Sequence, residues 1–95
     1  MTTVLIRFRV ADYDAWRKGY DSDLVGPLGA DVRSNRIWRG QDDPNLVTLE
    51  ETFESREVAD SAVNHPAVQE AMVRDGIDPS SVQLDFFDEV GRWTR

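Results

Sequence analysis

The sequence predicts an α+β domain of the ferredoxin-like type, βαββαβ, whose four-stranded antiparallel sheet carries both helices on one face. Three observations predict it. The apolar spacing switches between the period of a strand and that of a helix, the switches follow the order strand, helix, strand, strand, helix, strand, and 95 residues are enough for one core. The chain is therefore read as a single domain, 1–95.

TVLIRFRV alternates, with Val4, Ile6, Phe8 and Val10 on one side and Leu5, Arg7 and Arg9 on the other, as a strand requires. ADYDAWRKGYDSDL changes period. Tyr13, Trp16, Tyr20 and Leu24 fall in one helical stripe, Asp12 is an N-cap and Asp14 sits in the favourable first turn; this helix ends near GPLGA. DVRSNRIWRG and NLVTLEETF form a hairpin around QDDPN, whose Asp, Pro and Asn are turn formers.

Ser55 caps SREVADSAVN, where Val58, Ala59, Ala62 and Val63 share a face. If that helix ran on, Val68, Ala71 and Met72 would centre on nearly the opposite side. The interruption falls at VNHPAVQEAM. Pro66 disfavours helical geometry at His65 and suits the first turn of a new segment, which runs to a C-capping Gly76. VQLDFFDEV closes the sheet, with Val82, Leu84 and Phe86 on one face and Gln83, Asp85 and Phe87 on the other. The tail GRWTR is either loose or reaches a partner.

In this topology strand one lies between strands three and four, so Arg7 and Arg9 face Glu50 and Asp85 on the side away from the helices. That side is either wet or covered by a second sheet, and Leu5 and Phe87 are compatible with both.

A net charge of -7 and a pI near 4.5 argue against nucleic acid as a partner, because phosphate binding needs a concentrated basic patch. No cysteine is present, which removes disulfides, thiolate metal sites and thiol nucleophiles and suits a reducing cytoplasm. The N-terminal apolar run is too short for a signal-peptide core, and no later segment reaches the length of a membrane span. The expectation is a cytoplasmic protein that does not enter the membrane.

VADYDAWRKGYD, RGQDDPNLVTLEETFES and HPAVQEAM, with the element order and length, give the chain its likeness: it resembles the dimeric alpha/beta barrel superfamily and is similar to the antibiotic biosynthesis monooxygenases. The resemblance implies a homodimer in which two sheets pack into a barrel, with a pocket between sheet and helices in each subunit. Members include cofactor-independent oxygenases of aromatic polyketides, polyketide cyclases, haem-degrading enzymes and small stress-associated proteins. The haem-degrading members pair a strand-one asparagine with a tryptophan and a histidine of helix two. Strand one here offers Arg7 and Arg9 instead, which argues against haem chemistry.

His65 is the lone histidine and an acid or base by its ordinary pKa, although a His before Pro at a helix break is also a local cap. Strict alternation along LVTLEETF puts Glu51 with Val47, Leu49 and Phe53 on the helix side, where a carboxylate with a raised pKa would suit a general base. A bulge at the doubled Glu50-Glu51, or an open strand end, would instead send it outward. Trp16, Tyr20 and Trp38 are either core or the lining of an aromatic-accepting pocket. Arg36 shares the strand face of Trp38 and would hold an anionic oxygen there, or is a solvated strand residue.

No metal-ligand cluster, glycine-rich nucleotide loop or hydrolase elbow is visible, so no cofactor is expected. Taken with the resemblance, the expectation is a cofactor-free monooxygenase-like or cyclase-like enzyme acting on a small aromatic or polyketide-derived molecule. The alternative is a non-catalytic dimer, stress-associated or sequestering, whose pocket only binds a small hydrophobic ligand.

Overall fold

The computed structural model describes residues 1–95. In chain order they form β1 (Thr2–Arg9), α1 (Tyr13–Leu24), β2 (Ser34–Arg39), β3 (Leu46–Phe53), α2 (Arg56–Val63), α3 (Pro66–Arg74) and β4 (Gln83–Phe87). Short 3-10 turns at Pro27–Gly29 and Pro79–Ser81 follow α1 and precede β4. The sheet is antiparallel in the order β2-β3-β1-β4, so β1 lies between β3 and β4 as the ferredoxin-like topology demands.

The alternation read in β1 is the alternation observed. Val4, Ile6, Phe8 and Val10 are buried and join Val47, Leu49 and Phe53 of β3 against Trp16 of α1 and Ala59 and Val63 of α2. Trp16 is held on two sides: its ring lies edge-on to Phe8 with centroids 5.3 Å apart and stacks on Tyr20 at 5.2 Å.

Caps set the helix boundaries. The Asp12 side chain accepts from the Asp14 amide, and Ser55 Oγ accepts from the Val58 amide, so each satisfies a donor with no intrahelical partner. The interruption read in the sequence is the one observed: the chain leaves helical geometry at Asn64 and His65 and restarts at Pro66, so the second helical stretch is the two helices α2 and α3. This break lets both segments turn apolar residues to one core: Ala59 and Val63 of α2 belong to it, and Met72 of α3 packs against it. Gly76 ends α3 with φ +81, a left-handed conformation that favours glycine.

The outer face of the sheet carries no helix. Trp38 and Phe87 are about half exposed on it, at 53% and 47%. One charge pairing differs from the sequence reading. Arg7 lies opposite Thr48 and Gln83, diagonal to Glu50 and Asp85, and makes no ion pair; Glu50 pairs with Arg36 at 3.3 Å and Arg9 with Asp43. Residues after Phe87 form no regular element, and Val90 and Trp93 are exposed. No helix is long and apolar enough to cross a membrane.

Candidate active site

A cavity of about 300 Å³ opens between the inner face of the sheet, α1 with its following turn, and α3. Ile6, Phe8, Leu49 and Phe53 form its floor, Trp16 and Leu24 one wall, and Val68 and Met72 the other. Against so apolar a lining the few polar groups decide what the cavity can recognise. They are the Tyr20 hydroxyl, Glu51, Gln69, Asp23 and Asp75.

Glu51 is placed by strand register. It pairs with Val4 of β1 and Asn35 of β2 in an unbroken ladder, so no bulge turns it outward and alternation aims it at the helices. Its Oε2 accepts a 2.7 Å hydrogen bond from the Tyr20 hydroxyl, and the Tyr20 oxygen accepts from Asn35 Nδ2 at 3.2 Å. The donors run in one direction, Asn35 to Tyr20 to Glu51. Glu51 Oε1 makes no hydrogen bond within the protein and is not sealed from solvent, and Glu51 lines the cavity.

The electrostatics follow from this arrangement. Burial raises the Glu51 pKa above the ordinary carboxylate range, and the Tyr20 hydrogen bond opposes part of that rise by stabilising the anion. Burial and the neighbouring Glu51 charge push Tyr20 far above an ordinary phenol, so it stays a donor. A carboxylate with one lone-pair edge free, a raised pKa and an apolar approach can remove a proton from a ligand.

The other polar groups are engaged. Gln69 Nε2 donates to the Val63 carbonyl at 2.8 Å, tying α3 to the end of α2 across the break. Asp23 of α1 and Asp75, which follows α3, are bridged by Arg74, whose Nη2 reaches Asp23 at 2.7 Å while its Nε and Nη2 grip both Asp75 oxygens.

Of the residues picked out in the sequence, Trp16, Tyr20 and Glu51 meet at this cavity. Trp38 and Arg36 do not. Ile37 pairs with Leu49 and turns inward, so its neighbours Arg36 and Trp38 lie on the outer face beside Glu50 and Thr48. His65 is exposed and caps α3, its Nδ1 accepting from the Ala67 amide at 3.1 Å; it does not line the cavity. Asn35 is not among the residues that the sequence singles out. The signal for it is the cross-strand register, since the residue opposite an inward Glu51 must itself point inward.

No protein-family model matches the chain, and no curated protein matches it. Solved structures do match over nearly its whole length. SnoaB of Streptomyces nogalater, a cofactor-independent oxygenase solved as a point mutant, superposes with a TM-score of 0.76 at 12% identity, covering 99% of this chain and 97% of that one. Rv0793 of Mycobacterium tuberculosis superposes with a TM-score of 0.69 at 20% identity, covering 98% of each chain. A structure described as an antibiotic biosynthesis monooxygenase gives 0.69 at 12% identity, covering 96% of this chain and all of that one. At these identities the likeness establishes architecture: the chain has the ferredoxin-like fold of the antibiotic biosynthesis monooxygenase-like structures.

Proposed function

We propose that the protein is a cofactor-independent enzyme that acts on a small aromatic or polyketide-derived molecule, with Glu51 as general base. The observation that carries this reading is the free Oε1 edge of Glu51, set in an apolar cavity and fixed from behind by Tyr20. Such a group takes a proton from a phenol or enol hydroxyl, or from a carbon next to a carbonyl, and leaves a phenolate or an enolate. In an oxygenase the carbanionic carbon then forms a bond to dioxygen, which it reduces to a hydroperoxide, and loss of water from that hydroperoxide leaves a new carbonyl; in a cyclase it attacks a carbonyl of the same molecule, whose oxygen takes up the proton. Trp16 braces Tyr20 and so steadies the base. Support from outside the chain is the shared fold with SnoaB, a cofactor-independent oxygenase.

The same reading has the protein working as a homodimer, its two sheets stacked through the outer faces. Exposed Trp38 and Phe87, with Leu5 between β3 and β4, are the apolar surface that such stacking would cover. Arg36 and Trp38 then belong to the interface and not to the chemistry.

The test is dioxygen uptake and product mass with hydroxylated polycyclic aromatic substrates, in protein freed of metal and given no flavin. Turnover above the protein-free blank, from a protein that native mass spectrometry shows to be dimeric, is expected. Tight binding without turnover would favour the sequestering role instead, and a monomer would remove the dimer.

A further inference from the structure

The cavity is acidic wherever it is charged. Its lining includes Glu51, Asp23 and Asp75 and no Lys, Arg or His. Arg74, which pairs with two of these acids, lies outside the lining with a side chain that is 56% exposed, and its guanidinium is already taken by Asp75 and Asp23. Asp23 and Asp75 therefore share one committed guanidinium, and Glu51 has no cationic partner.

This arrangement is built into the packing. The Asp75 carboxylate lies directly against Gly19 of α1, where any Cβ would overlap it, so the helix surface is cut away to seat an acid at this position. The Asp75 side chain is only 10% exposed and that of Asp23 26%, so solvent screens their charges less than those of free surface residues. An anion entering here would lose its hydration in an apolar chamber, find no cation and meet like charge.

Glu51 adds a second requirement. Its only free atom is an acceptor, because Tyr20 donates to its other oxygen and Asn35 fixes Tyr20 in that sense.

We propose that the cavity selects uncharged ring compounds that donate a hydroxyl to Glu51 Oε1, and that Asp23, Asp75 and Glu51 reject carboxylate-bearing analogues of the same shape. The proposal rests on the reading of Glu51 and its cavity given above and adds the charge class of the ligand. Asp23 and Asp75 act as specificity determinants and take no part in proton transfer.

Calorimetric titration at neutral pH with 2-naphthol and 2-naphthoate tests it, since the two probes share a ring system and differ in charge. The naphthol is expected to bind, and the naphthoate to bind about 100-fold more weakly, the penalty of a like charge at close range in a partly screened site. Asp23→Asn removes one of the two carboxylates that hold Arg74, and it is expected to narrow that ratio by strengthening the naphthoate. Asp23→Asn combined with Glu51→Gln should narrow it further.

Equal affinities for the two probes, with turnover still dependent on Glu51, would overturn charge selection and leave the enzyme reading standing. An unchanged ratio in the folded Asp23→Asn protein would also overturn it. If neither 2-naphthol nor naphthalene binds, the cavity reading fails, and charge selection with it.

Discussion

Glu51→Gln is expected to lower turnover by about 10²- to 10⁴-fold, the range associated with loss of a positioned general base, while leaving affinity for an uncharged ring compound within about tenfold. Gln keeps the length of the side chain, and its carbonyl oxygen still accepts from Tyr20, so the wall of the cavity is preserved. What disappears is the ability to take a proton at the Oε1 position. Steady-state dioxygen uptake, paired with calorimetric binding, separates the two effects. Full turnover in this variant would move the base elsewhere.

The same substitution has a consequence for stability that needs no substrate. Burial raises the Glu51 pKa, so between the unfolded value of about 4.3 and the higher folded value the native chain holds a proton that the unfolded chain has released. Stability contributed by this group therefore falls as pH rises through that window, and the full cost is present above it. Glu51→Gln removes this slope, so the variant gains stability relative to the parent as pH rises from about 4 toward neutrality. The carboxylate is thus retained at a cost to the fold, as expected of a group kept for chemistry.

Phe8→Ala carries the largest expected loss of stability, about 3–5 kcal/mol. Phe8 is 2% exposed on the central strand, pairs with Val47 and supports the Trp16 ring edge-on. It also borders the existing cavity, so the void left by truncation would merge with a chamber that packing already leaves open and would not collapse. Against a typical domain stability of about 5–15 kcal/mol this is a large fraction. Urea denaturation should show a much lower midpoint at an unchanged slope. Phe8→Leu, which keeps most of the volume, should lose far less, and a loss under about 1 kcal/mol in Phe8→Ala would mean that Phe8 does not support Trp16.

The fold is legible in the sequence because its signals are periodic and local. β1 alternates cleanly, Asp12 and Ser55 mark helix starts, and the phase slip between Val63 and Val68 exposes the break at Pro66. The inward aim of Glu51 is legible for the same reason, since Val47, Leu49 and Phe53 fix the phase of β3 on both sides of it. β2 is an edge strand of mixed residues, and its phase is set only by pairing: Ile37 against Leu49 and Asn35 against Glu51 turn Arg36 and Trp38 outward. Size and aromaticity make Trp38 look like a pocket residue, but the register overrides both.

The bridge from Asp23 through Arg74 to Asp75 joins residues far apart in sequence that no short-range pattern connects. Its one local trace is Gly19, a glycine inside a helix, where backbone entropy argues against it and the seat of Asp75 explains it. His65 shows the opposite case. Its chemistry points to catalysis and its position before Pro66 to a cap, and position prevails.

Glu51 as a carboxylate held in an apolar cavity is tested most directly by a residue-resolved carbon NMR titration of its side-chain carboxyl. The predicted midpoint lies above the ordinary glutamate value of about 4.3 and moves higher still in Tyr20→Phe, which removes the hydrogen bond that favours the anion. A midpoint at or below the ordinary value, indifferent to Tyr20→Phe, would contradict it.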